Sequence, residues 1–144
     1  MNDLRQQAIR LLARREHTHA ELRKKLAGEG TTEEIDAVLV DLAATGLLSD
    51  QRTAASYLRG NSARFGAAKL KHTLRAKGAD DETIAAVMES ADLPEEIERA
   101  RAIWLRKFRT APQNQKEWAR QARFLQSRGF SSDVIRRLLK EQEA

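Results

Sequence analysis

The strongest constraint on this chain is a pattern that it repeats three times. Leu-x-x-x-Gly occurs at Leu26–Gly30, Leu74–Gly78 and Leu125–Gly129, about 50 residues apart, and a period of that order marks an array of structural repeats. Five or six residues after each Gly stands an isoleucine: Ile35, Ile84 and Ile135. Each Ile is followed at +3 and +4 by two apolar residues, Val38 and Leu39, Val87 and Met88, and Leu138 and Leu139. That spacing is one apolar face of a helix. In each copy the Leu closes a helix on its buried face. The Gly is expected at the C′ position, where a left-handed backbone ends the helix without a Cβ penalty. A polar residue then caps the next helix: Thr31 or Thr32, Asp80 or Asp81, Ser131 or Ser132. Thr31 with Glu34 fits a capping box.

Each copy has room for an earlier helix. In the first, Leu4, Ala8, Leu11 and Leu12 form a stripe ending near Glu16, and Thr18 with Glu21 makes a second capping-box candidate. In the second, Asp50 opens a helix with Ala54, Tyr57 and Leu58 on one face, broken at Phe65 and Gly66. In the third, Pro94 suits a first helical turn. Its stripe is Ile97, the stem of Arg101, Trp104, Leu105 and Phe108. A connector at Thr110–Asn114 precedes a helix bearing Trp118, Ala122 and Leu125. With only 2 Pro and 7 Gly, and no stretch of strand-like alternation, the chain reads as all-α. The expected architecture is three tandem three-helix repeats at 1–47, 48–92 and 93–144, forming an elongated, curved array. Helices this short are marginal alone, so each copy must bury its stripe against its neighbours.

Charge is segregated along the chain. From Gln51 to Ala79 there are seven basic residues and no acidic one: Arg52, Arg59, Arg64, Lys69, Lys71, Arg75 and Lys77. Arg99 to Lys116 holds six basic residues and no acidic one, and Arg120, Arg123 and Arg128 follow. Acidic residues gather instead in Ala27–Asp50 and Asp80–Glu98. A single surface charge is usually a solvated helix face. A block of 29 residues without an acid is a different matter, because unopposed charge costs self-repulsion that a partner relieves. The predicted contact face is therefore Arg59, Arg64, Lys69, Lys71, Arg75 and Lys77. A second candidate face is Lys107, Arg120, Arg123 and Arg128.

Catalytic chemistry is not legible. No Gly-rich phosphate loop is present, and the chain has no cysteine, which excludes disulfides and thiolate metal sites. His17 and His19 are two apart and do not share a helix face, so they and His72 read as surface histidines rather than metal ligands. Asp80, Asp81 and Glu82 follow Gly78 and are better explained by capping. Trp104, Phe108, Trp118 and Phe124 fall at stripe positions and read as core. Phe65 and Phe130 staple turns, and Tyr57 fits either a core position or a base-stacking platform. Neither an enzyme nor a cofactor is expected, and no small-molecule substrate. The charged opening Met1–Arg5 lacks the apolar core of a signal peptide, and no apolar run approaches the ~20 residues of a membrane span, so a cytoplasmic protein without a membrane partner is expected.

Four segments in order carry a family resemblance. They are Ala8–Leu12 with Arg15–Thr18 and Glu21–Leu26; Gly46–Arg52; Gly66–Leu70 with Leu74–Gly78; and Arg123–Phe130. Together they span essentially the whole chain and resemble the RecX family. The chain departs from the family pattern at Ala67, where the central segment often has Pro, at Thr73, where an acid is common, and at Thr53, where an aromatic is common. The resemblance implies a modulator, mainly an inhibitor, of the RecA recombinase. Such proteins bind along the helical groove of the RecA–DNA filament and limit its growth, ATP hydrolysis, strand exchange and repressor cleavage. The basic faces agree in kind, since they suit acidic protein surface or DNA phosphates. The alternative is a stand-alone, non-specific DNA-binding protein, and weak DNA binding is compatible with either reading.

Overall fold

The computed structural model describes residues 3–143, so Met1 and Asn2 of the charged opening lie outside it. Among the described residues there are nine helices and no strand. The first copy supplies α1 (Asp3–Arg14), α2 (His19–Leu26) and α3 (Thr32–Ala44). The second supplies α4 (Asp50–Asn61), α5 (Ala67–Ala76) and α6 (Asp81–Ser90). The third supplies α7 (Glu96–Lys107), α8 (Gln115–Ser127) and α9 (Ser132–Glu141).

The capping chemistry sets most helix starts. Thr18 with Glu21, and Thr31 with Glu34, form complete reciprocal boxes. Asp80, Asn114 and Ser131 cap α6, α8 and α9 through their side chains. Each such cap is worth about 1 kcal/mol. Pro94 does not enter the first turn of α7 as expected; it precedes the N-cap, Glu95, whose side chain makes no capping bond. At the ends of α5 and α8 the Gly works as predicted. Gly129 has φ +95°, its N–H donates to the Gln126 carbonyl, and the Phe130 N–H donates to the Leu125 carbonyl, a Schellman closure. Gly78 does the same for α5. The first copy differs. There α2 stops at Leu26, and the left-handed residue is Gly28, not Gly30. Gly30 is closely packed instead: a Cβ there would stand 3.2 Å from both Leu4 Cδ2 and Glu34 Oε1, so those side-chain ends would have to give by a few tenths of an ångström.

The described chain falls into two compact units. One comprises the residues up to Tyr57 together with Leu74–Ala91; the other comprises Leu58–Thr73 and the residues from Asp92 onward. In the first unit, α1, α2 and α3 close on Ala8, Leu22, Leu26, Ile35, Leu39, Leu42 and Leu48. In the second, α7, α8 and α9 close on a core that includes Trp104, Leu125, Phe130, Ile135, Leu138 and Leu139. Burying each large side chain of this kind contributes about 1.5–3 kcal/mol. The predicted stripes hold with one exception. Leu105 is 54% exposed, and α7 turns Ala100 and Ile103 inward beside Ile97 and Trp104. The reason is angular: Leu105 lies a further 100° round the helix from Trp104, past the edge of the buried sector.

His17 also departs from expectation. It is buried, not on the surface, at the junction of α1 and α2. Its Nδ1 donates to the Arg15 carbonyl (3.0 Å), and its own carbonyl accepts from Thr53 Oγ1 (2.9 Å). His19 is half-exposed, and its Nδ1 lies 3.0 Å from Asp50 Oδ1; His72 is exposed. Burial pushes the His17 imidazole below its ordinary pKa, against the pull of the Arg15 carbonyl bond. The unfolded chain therefore binds this proton more readily. Its contribution to stability is complete above pH ~6.5 and is lost as the pH falls through the window beneath that value. Glu21 does not share the window. Burial opposes its charge, but the Thr18 N–H and the Lys77 and Arg15 cations outweigh it and hold the carboxyl below the usual carboxylate range. The unfolding free energy from urea titration should be lower at pH ~5.5 than at pH ~7.5, and His17→Asn should flatten that difference. Equal slopes in both proteins would remove His17 as the cause.

Candidate functional site

The second unit gathers cations from three parts of the sequence onto three phenylalanine rings. The α4–α5 loop brings Arg64 and Phe65, and the first turn of α5 brings Lys69. The last turn of α7 brings Lys107, followed by Phe108 at its C-cap. Along α8 and its C-cap residue Arg128, Arg120, Phe124 and Arg128 recur at intervals of four, which places them one above another on a single face. Arg64 Cζ, Lys69 Nζ and Arg128 Cζ lie 5.2, 5.0 and 5.8 Å from the Phe65 ring centre. Arg128 Cζ also lies 5.2 Å from the Phe124 ring centre, and Lys107 Nζ lies 5.4 Å from the same centre. Arg120 Cζ lies 5.5 Å from Phe108, and the Phe108 and Phe124 rings meet edge to face at 5.4 Å. Each cation–ring contact is worth about 0.5–1 kcal/mol at an exposed site. Such contacts hold the cations in place without neutralising them.

Arg64, Arg106, Lys107 and Arg128 also line a cleft of about 410 Å³ with Ile103 and Phe124. No carboxylate lines it. Arg64, Lys69, Lys107, Arg120 and Arg128 form no ion pair among the described residues. The arrangement is an unneutralised cationic surface with an apolar floor, suited to phosphate or carboxylate groups.

The predicted residues do not all meet there. Arg75 and Lys77 belong to the first unit. Arg75 Nε is 2.9 Å from Asp81 Oδ1. Lys77 Nζ is 3.5 Å from Glu21 Oε2 and 5.6 Å from the Tyr57 ring centre. Arg52, from the same acid-free stretch, pairs with Glu16. Arg59, Lys71 and Arg123 make none of the ring contacts and have no ion-pair partner among the described residues. Sequence reasoning missed the role of Phe65, Phe108 and Phe124, which are only partly buried. The i, i+4, i+8 run Arg120–Phe124–Arg128 was the available signal.

Family models for the first, second and third three-helix domains of RecX match residues 5–42, 49–88 and 94–139. The chain belongs to the RecX family. The regulatory protein RecX of Leptothrix cholodnii is 44% identical over 95% of this chain and 87% of its own length. That of Chromobacterium violaceum is 39% identical, over 94% and 88% respectively. The crystal structure of RecX from Lactobacillus salivarius superposes with a TM-score of 0.83, covering 99% of this chain and 96% of that one; at 20% identity it speaks for the fold alone. A second RecX crystal structure, 27% identical, covers 96% of this chain and 74% of that one with a TM-score of 0.78. The all-helical architecture of three-helix domains is thus that of a regulatory protein family. No described helix is long and apolar enough to cross a membrane.

Proposed function

We propose that this protein regulates the RecA recombinase in the cytoplasm. It binds the helical groove of the RecA–DNA filament and limits filament extension, with ATP hydrolysis, strand exchange and coprotease activity falling as a result. The observation that carries the reading is the cation–aromatic face: five cations, fixed on three rings, without a carboxylate partner. Charge held in place but left unneutralised favours a pre-formed acidic or phosphate-bearing partner, because little ordering cost remains on binding. Arg59, Lys71 and Arg123, also unpaired, extend the basic surface; Arg75 and Lys77 serve their ion pairs.

The test is a titration into a RecA–single-stranded-DNA ATPase assay, with a DNA-binding control at the same salt. Inhibition is expected where free DNA is not bound. The double variant Arg64→Glu/Lys107→Glu should raise the half-inhibitory concentration about tenfold or more, a loss of at least ~1.4 kcal/mol. Arg75→Glu, on a residue already paired, should change it less than about twofold. A folded double variant that inhibits like the parent would overturn the assignment of the face. The second reading, direct non-specific DNA binding, is favoured by the same run of cations. It requires inhibition only once free DNA is saturated, and a loss of affinity of roughly a thousandfold between low and moderate salt for ~6 phosphate contacts.

A further inference from the structure

Arg99 is a buried guanidinium without a carboxylate partner among the described residues. Each of its three nitrogens donates to a backbone carbonyl. Nε donates to Ser62 O (3.1 Å), Nη1 to Pro94 O (3.0 Å) and Nη2 to Phe65 O (3.5 Å). Two helical turns further along α7, Arg106 Nη2 donates to Ala63 O (3.4 Å). Three of the four carbonyls from Ser62 to Phe65 are thus held by α7. From α8 and its turn, the Arg128 carbonyl accepts from the Gly66 N–H (2.7 Å) and the Gly129 carbonyl from the Ala68 N–H (3.2 Å). The α4–α5 loop is therefore pinned through its backbone, which leaves the side chains of Arg64 and Phe65 turned to the cation–aromatic face.

Burying a guanidinium this way opposes its charge, yet an arginine stays ionised at any physiological pH. An apolar side chain of similar volume would fill the same space at lower cost. A planar fork that spreads five donors over three nitrogens can, in contrast, reach three separated carbonyls at once, whereas the donors of a lysine all sit on one atom. We infer that Arg99 is a positioning residue: it holds the α4–α5 loop so that Arg64 and Phe65 are presented to the partner. The step from loop to partner rests on the function proposed above, whereas the hold on the loop does not.

The experiment compares the full chain with Arg99→Met and Arg99→Lys, using amide hydrogen exchange by residue and the RecA–single-stranded-DNA ATPase titration. In Arg99→Met, exchange at Arg64 and Gly66 should quicken about tenfold or more while the α9 amides stay unchanged, which is local opening rather than global destabilisation. Arg99→Lys, keeping the charge but losing the fork, should fall between parent and Met variant. The half-inhibitory concentration should rise several-fold in the same order. Unchanged exchange in the loop, or faster exchange spread evenly over α7–α9, would overturn the positioning role. Faster loop exchange with undiminished inhibition would uphold that role and instead remove Arg64 and Phe65 from the filament contact.

Discussion

Trp104→Ala is expected to destabilise the second unit by about 3–5 kcal/mol from lost packing and the cavity left behind. Trp104 is 3% exposed and sits where α7, α8 and α9 converge. Packing is only part of its role. Its Nε1 donates to Gln121 Oε1 at 2.7 Å, and Gln121, 2% exposed, donates onward from Nε2 to the Thr110 carbonyl at 3.2 Å. The alanine variant therefore also strands a buried amide oxygen, which adds about 1–3 kcal/mol. Trp104→Phe separates the two effects, since it keeps most of the packing and removes only the donor. It should cost about 1–3 kcal/mol, and Gln121→Leu in the Phe background should recover part of that loss. Trp118, half-buried against the same core, provides the fluorescence signal for urea unfolding in all these variants. A Trp104→Phe protein as stable as the parent would show that the buried hydrogen bond is energetically neutral.

Gly129→Ala should cost about 2–5 kcal/mol, the sum of left-handed strain and steric overlap. At φ +95° an alanine is strained in itself. Its Cβ would also fall 2.4 Å from Lys69 Cβ and 2.6 Å from Lys69 N, so the first turn of α5 must move. Gly28 supplies the control. It has φ +88° with no atom within 4 Å of the added Cβ. Gly28→Ala should therefore cost only the strain, about 1–2 kcal/mol. Gly66 is the converse: its φ is not positive, but an added Cβ would meet Gly129 O at 2.5 Å and Phe130 Cδ1 at 2.7 Å. Because the Gly129 overlap falls on Lys69, its alanine variant should also weaken filament inhibition, while Gly28→Ala should not. Equal unfolding midpoints for the Gly129 and Gly28 variants would show that the turn of α8 yields freely and that the overlap costs nothing.

Helix punctuation and the apolar stripes were legible in the chain. A Thr with a Glu three residues later is a closed piece of physics: both hydrogen bonds of the box join residues within one turn, at Thr18–Glu21 and at Thr31–Glu34 alike. The same holds for the Schellman closures at Gly78 and Gly129, whose bonds span no more than five residues. An Ile with apolar residues at +3 and +4 likewise sets its own buried face. Two local readings failed: α2 stops at Leu26, so Gly28 and not Gly30 is the left-handed residue, and Leu105 lies past the edge of the buried sector of α7, where Ile103 is buried instead.

Charge behaved differently. The acid-free stretch from Gln51 to Ala79 was visible, but not which of its cations would stay unneutralised. Arg52 found Glu16 across 36 residues of chain, and Lys77 found Glu21 across 56. Arg64 and Lys69 instead met Arg128 over one ring. Burial of His17 and Arg99 was equally hidden, because their partners are carbonyls, which every residue carries and no sequence pattern marks. The sequence by itself determined where most helices start, stop and turn their apolar side, with the end of α2, the start of α7 and Leu105 as the exceptions, since those energies arise between residues a turn apart. Only the tertiary structure decided which cations are neutralised and which remain available, since Coulomb and hydrogen-bond energies depend on distance in space and are indifferent to distance along the chain.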